Sequence, residues 1–164
     1  MGVCGLEEHS PLPTAGVPPF NGAVKIETLS IHVGREVAAD TGAVAPPIHL
    51  TTTFERDADG GYSRGYSYGR PANPGRTSLE QCLAALEGGA EAIAFGSGSA
   101  ASLAVFALLR TGDHVLAPIE SYHGTAKQLR DVVANWGVEC SFVDMTRFDA
   151  VQSALRDQTR LLWI

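Results

Sequence analysis

The stretch AIAFGSGSAASLAVFALLR, Ala92 to Arg110, decides the fold class. Ala92 to Phe95 is short and apolar, Gly96 to Ser99 is a turn, and Ala100 to Arg110 is an apolar helical run with Gly112 just past its end. A short, wholly apolar strand feeding a helix through a glycine turn belongs in a parallel sheet, where strands are buried on both faces. The pattern repeats downstream. Val115 to Pro118 reads as a strand, Thr125 to Trp136 as an amphipathic helix carrying Leu129, Val132, Val133 and Trp136, and Gly137 as its stop. Val138 to Val143 is a further strand, Phe148 to Arg156 a further helix, and Leu161 to Ile164 opens a fourth strand. Helices alternating with short strands imply right-handed crossovers and an α/β fold, mainly a parallel sheet with helices on both faces.

Upstream, Thr77 and Glu80 have capping-box spacing and predict a helix start. Leu79, Cys82, Leu83 and Leu86 then make one buried stripe, ended by Gly88 and Gly89. Residues 25–76 lack periodicity; Gly42, Pro46, Pro47 and the Gly60-Gly61 pair break their apolar stretches, so they read as an arm rather than a domain. Residues 1–24, rich in Pro and Gly, read as a mobile tail. The α/β region is thus expected over 77–164. Its last strand has no turn residue to close it and is neither short nor charged as edge strands usually are. The expectation is that the 164 residues belong to a longer domain, with Leu162 and Trp163 poorly covered and the piece alone partly disordered or aggregating.

Composition narrows the function. Twelve basic against eighteen acidic residues give a net charge of −6, without the basic stripe that nucleic-acid binding requires. No apolar run is long enough to cross a bilayer and no Lys or Arg precedes Lys25 to make a charged leader region, so a cytoplasmic location is expected, with neither membrane nor nucleic acid as partner. The three cysteines are far apart and the five histidines lack zinc-ligand spacing, so no disulfide framework and no metal are expected.

Gly96-Ser97-Gly98-Ser99 is the sharpest candidate for chemistry. Glycines there let the backbone approach an anion, and the following helix offers unpaired amides and a positive dipole end. Three readings stay open: a phosphate cup, a tight turn with no ligand, and a dinucleotide turn, because the same residues fit G-x-G-x-x-A with Glu120 placed for a ribose. The dinucleotide reading, a NAD-binding oxidoreductase, leaves two features unused. Tyr122, just past a strand, can lie on a heteroaromatic ring, and Tyr68 with Arg70 sit in the arm, where a guanidinium suits phosphate oxygens. A ring to stack and a phosphate to cradle suit pyridoxal phosphate better than a nucleotide.

These residues resemble the Cys/Met-metabolism pyridoxal-phosphate enzymes, which include cystathionine γ-synthases and γ-lyases. The resemblance covers residues 25–164. It rests on Glu27-Thr-Leu-Ser-Ile-His-Val-Gly34, Thr41-Gly-Ala-Val-Ala-Pro-Pro-Ile48, Thr51-Thr-Thr-Phe54 and Gly112-Asp113-His114. It rests above all on Tyr68-Gly-Arg70-Pro-Ala-Asn73-Pro74, which is similar to the Y-x-R-x-x-N-P signature, and on Leu79-Glu80 through Leu86-Glu87-Gly88 after it. The resemblance implies the amino-terminal part of a fold-type I, aspartate aminotransferase-like large domain. It also implies pyridoxal 5′-phosphate as cofactor and a homodimer or homotetramer with shared active sites. Tyr68 and Arg70 would then serve a neighbouring subunit's phosphate. Gly98 and Ser99 would bind it through backbone amides, although methionine is usual where Ser99 stands, and Tyr122 would stack on the ring and assist proton transfer. The implied activity is β- or γ-elimination or replacement on a small sulfur-containing or O-acylated amino acid. The family's Schiff-base lysine matches neither Lys25 nor Lys127 and lies past the position matching Ile164, so catalysis by these residues alone is not expected. A non-enzymatic truncated piece is the alternative from another class.

Overall fold

The computed structural model describes residues 24–164. The tail expected over 1–24 lies, apart from Val24, outside them. The chain divides into two compact units, one ending at Ala94 and one spanning Phe95–Ile164.

The first unit holds helices α1 (Ile26–His32) and α2 (Pro74–Glu87), separated by irregular chain. That chain is pinned by an antiparallel bridge between Thr53 and Tyr68, with the Gly69 amide donating to the Thr52 carbonyl at 2.7 Å. Behind α1 the chain turns at Gly34, with φ of 73°. A side chain there would collide with the Ser78 carbonyl of α2, while the Ser78 hydroxyl donates to the Gly34 carbonyl. Glycine is required on both counts.

Helix α2 departs from the capping-box expectation. It begins at Pro74, three residues before Thr77, and its N-cap is Asn73, whose Oδ1 accepts from the Gly75 amide at 2.9 Å. Asparagine at the cap followed by proline, whose φ is already helical and whose missing N–H is not needed there, outcompetes the later Thr77 start. Glu80 does not reach back to a cap. It pairs with Arg76 at 3.4 Å and accepts the Ala94 amide at 2.9 Å. The expected stripe is only partly buried: Cys82 and Ala84 are inside, but Leu79 is 51% exposed and Leu83 stands half out.

The Ala94 contact also accounts for a strand that does not form. Ala92 to Phe95 joins no ladder: a carboxylate takes the Ala94 amide and no strand pairs with it among the described residues. Alternation and apolarity predict a conformation; a strand also needs a partner for its amides.

In the second unit, α3 (Gly98–Phe106) leads to β1 (His114–Pro118), α4 (His123–Asp131), a 3-10 turn (Val133–Trp136), β2 (Glu139–Val143), α5 (Phe148–Ala154) and β3 (Thr159–Leu162). The three strands are parallel in the order β2-β1-β3, with β1 central and His114 to Ala117 fully buried. Three of the four expected strands therefore form. Side chains alternate across the sheet. Val115 and Ala117 face a core of Phe106, Leu129, Val133 and Val138, against which Cys140, Phe142, Leu161 and Trp163 pack. Trp163 meets Phe106 edge-on at 4.9 Å, so it is better covered than expected, whereas Leu162 is exposed.

Candidate functional site

The second unit holds a cavity of about 410 Å³ lined by Ser97, Gly98, Ser99, Ser102, Tyr122 and Thr125. It gathers the residues that follow two apolar segments: the Gly96–Ser99 turn that opens α3, and the Ser121-Tyr122 turn that leaves β1 and opens α4. It therefore sits by the carboxyl end of β1, where open α/β sheets take their ligands.

Ser97 is the N-cap of α3, and its Oγ accepts the Ala100 amide at 3.2 Å. The amides of Gly98 and Ser99 donate to nothing among the described residues, as the first turn of a helix dictates unless a ligand or cap intervenes. Neither Gly96 nor Gly98 has a positive φ, and a methyl group added to either would meet no atom within 4 Å. Neither backbone conformation nor internal packing demands glycine here. What the glycines provide is open space in front of two unsatisfied N–H groups and a positive helix end, which suits a phosphate monoester.

Tyr122 is the N-cap residue of α4 but its hydroxyl makes no cap bond. The side chain is 74% exposed, and its ring folds over Gly124, where an added Cβ would lie 2.6 Å from Cε1. An exposed aromatic ring beside this cavity is able to stack against a second flat ring. Thr125 behind it is buried, and Gln128 further along α4 donates through Nε2 to the Ser99 carbonyl at 2.8 Å, tying α4 to the first turn of α3.

Of the five residues singled out from the sequence, Gly98, Ser99 and Tyr122 thus line one cavity. Tyr68 and Arg70 belong to the other unit. Both are exposed; the Arg70 guanidinium stands 5.3 Å over the Tyr68 ring and donates to no acceptor among the described residues. Their segment is tied at the backbone to α2, where Arg76 donates to the carbonyls of Arg70 and Pro71. Asn73 of the same signature serves as the α2 cap, a role its position before proline signalled and the sequence reading missed. Also missed were Ser102, Gly124, Thr125 and Gln128, together with the capping role of Ser97, which its place directly before a helix signalled.

At the opposite, amino end of the sheet lies a second polar cluster. His114 is buried, with Nδ1 2.8 Å from Thr159 Oγ1 and Nε2 2.9 Å from Ser141 Oγ, so one ring spans all three strands. Arg156 donates to Ser141 Oγ at 3.1 Å and pairs with Glu139. Burial holds the His114 imidazole below its ordinary value and the Arg156 charge adds to this, with Glu139 opposing. The cluster is closed on itself and separate from the cavity.

A family model described as Cys/Met metabolism PLP-dependent enzyme matches residues 27–164. A cystathionine gamma-synthase from Mycobacterium bovis is 44% identical over 138 residues, covering 84% of this chain and 36% of its own length. A cystathionine gamma-lyase from Bos taurus is 38% identical over 160 residues, covering 97% and 38%. The crystal structure of metB from Corynebacterium glutamicum superposes with a TM-score of 0.82 at 38% identity, covering 87% of this chain and 37% of that one. The chain therefore spans little more than a third of the length of these relatives.

Proposed function

Because the chain belongs to the family of Cys/Met-metabolism PLP-dependent enzymes, we propose that its residues supply the phosphate cup and ring platform of a pyridoxal-phosphate site. The full-length protein would catalyse β- or γ-elimination or replacement on sulfur-containing or O-acylated amino acids, in the manner of a cystathionine γ-synthase or γ-lyase. The observation that carries this reading is the cavity in which the unpaired Gly98 and Ser99 amides and the exposed Tyr122 ring stand together. Family membership leaves the dinucleotide reading of Gly96-x-Gly98 without support.

The residues divide the work by chemistry. The Gly98 and Ser99 amides bind phosphate oxygens at the positive end of α3, each charge-assisted bond contributing roughly 1.5–3 kcal/mol. Ser97 and Ser102 hydroxyls on the same wall add donors. Tyr122 would lie against the pyridine ring, contributing about 0.5–1.5 kcal/mol beyond area burial, and its hydroxyl would hold or pass a proton. Pyridoxal phosphate, when bound, supplies the electron sink, and the protein orients it. Tyr68 and Arg70, exposed and carried on a segment of the other unit, would reach the phosphate of a neighbouring subunit in a homodimer or homotetramer, the planar guanidinium fitting paired oxygens.

The test is an absorbance titration of the full-length protein with pyridoxal phosphate, followed by assays with cystathionine and with an O-acylated homoserine plus cysteine. A band near the visible edge, and cofactor-dependent turnover in one of the two assays, is expected. Absence of the band overturns the cofactor assignment; a band without turnover of either substrate overturns the substrate class.

A further inference from the structure

We infer that Gln128 is a positioning residue for the phosphate cup, an inference that rests on the cofactor reading above. Its amide is used asymmetrically. Nε2 donates to the Ser99 carbonyl at 2.8 Å, while Oε1 is buried with no donor among the described residues. A methionine or leucine would fill the same volume without burying an unsatisfied acceptor, which is a costly thing to leave in a fold. What the amide provides in return is the single bond to Ser99.

That bond falls at a telling place. The Ser99 carbonyl and the Ala100 amide are the two ends of one peptide group. The first is held by Gln128 Nε2, and the second by Ser97 Oγ at 3.2 Å. The peptide is thereby gripped from both sides, which restrains Ser99, whose own N–H belongs to the peptide group immediately before it. The grip adds to the Ala101 amide's bond to the Ser97 carbonyl at 3.1 Å, in a turn whose glycines, Gly96 and Gly98, have nothing packed where a side chain would be. Gln128 also lies on α4, the helix that Tyr122 opens. One hydrogen bond therefore fixes the first turn of α3 relative to the helix bearing the ring platform, which sets the spacing between phosphate and ring. Holding binding groups in place before the ligand arrives raises affinity without any contact to the ligand.

The inference is tested by measuring how tightly the full-length apoprotein binds pyridoxal phosphate and pyridoxal, the same ring without its phosphate, in the parent, Gln128→Met and Gln128→Glu. The methionine variant keeps the volume and loses the donor. It should bind pyridoxal phosphate about three- to tenfold more weakly, bind pyridoxal as the parent does, and melt no earlier than the parent. The glutamate variant keeps the shape, lacks the N–H and places a carboxylate beside the Ser99 carbonyl, so its preference for the phosphorylated ring should fall further. A role confined to folding would weaken both ligands alike and lower the melting temperature, and that result overturns the inference. So does an unchanged preference in both variants. If the parent itself shows no preference for the phosphorylated ring, the cup assignment fails, and the Gln128 inference fails with it.

Discussion

Gly124→Ala gives a sharp separation of site from scaffold. Gly124 lies in the first turn of α4 with no positive φ, so alanine is conformationally allowed there, and a helix favours it by up to about 1 kcal/mol. The obstacle is one side chain. A Cβ would stand 2.6 Å from Tyr122 Cε1, against a comfortable carbon separation of about 3.5 Å, so the ring must retreat by about 0.9 Å. Because Tyr122 is largely exposed, that movement disturbs little packing. Stability should hold or rise, while the stacking contribution of about 0.5–1.5 kcal/mol is lost in part or whole, which weakens pyridoxal-phosphate binding by roughly two- to tenfold. The assay is fluorescence-detected cofactor binding to the full-length apoprotein, beside a thermal melt. Parent-like affinity in the variant would refute the argument that Gly124 keeps the ring where the ligand needs it.

Three other outcomes are expected. Asn73→Ala removes the α2 cap at Gly75 and should cost about 1 kcal/mol by denaturant unfolding, while Asn73→Ser should recover most of it; equal loss in both would contradict a capping role. Arg70→Ala should lower affinity for pyridoxal phosphate but not for pyridoxal and leave the melting curve in place, since its exposed guanidinium meets the Tyr68 ring and donates to no acceptor among the described residues; a lower melting temperature with intact affinity would reverse that assignment. His114 has its pKa depressed below 6.5 by burial and Arg156, so the unfolded state binds the extra proton first; its stabilising neutral form is fully present above pH 6.5 and lost as pH falls through the lower folded value. Denaturant midpoints should therefore drop below pH 6.5 and be flatter over that window in His114→Gln, and an identical slope in the variant would count against it.

The second unit was legible because its signals are local and mutually consistent. Apolar runs at Val115 and Val138, the Gly137 stop with φ of 79° and the Leu129-Val133 face each act within a few residues, and burial on both sides of β1 follows from them. The failures share a cause. Ala92 to Phe95 has the right residues for a strand, but pairing is not a local property, and Glu80 intercepts the Ala94 amide. Thr77 and Glu80 have capping-box spacing, but Asn73-Pro74 offers a better start just upstream, and a helix begins at the first adequate cap. Leu79 and Leu83 follow helical periodicity, yet periodicity names a face and not what covers it. In the site, Gly98, Ser99 and Tyr122 could be read because each sits at a turn after an apolar run. Gln128 and Thr125 could not, since their roles depend on α4 lying beside α3.

The two ends of the sheet differ in how they treat polar groups, and the contrast bears on function. At the amino end, His114, Thr159, Ser141, Arg156 and Glu139 satisfy one another across all three strands, even though burying an imidazole there is costly. At the carboxyl end, the chain leaves the Gly98 and Ser99 amides unpaired, an aromatic ring in solvent and the Gln128 Oε1 without a donor. Folding alone favours neither an exposed tyrosine nor an unsatisfied buried acceptor. These unmet groups gather around the cavity proposed to hold the cofactor phosphate, whereas the amino-end cluster is satisfied within itself. It follows that substitutions at the amino end should shift melting temperature with little change in cofactor affinity, and substitutions around the cavity should do the reverse. That double dissociation, measured on His114→Gln and Gly124→Ala side by side, would fail if His114→Gln weakened cofactor binding or if Gly124→Ala lowered the melting temperature.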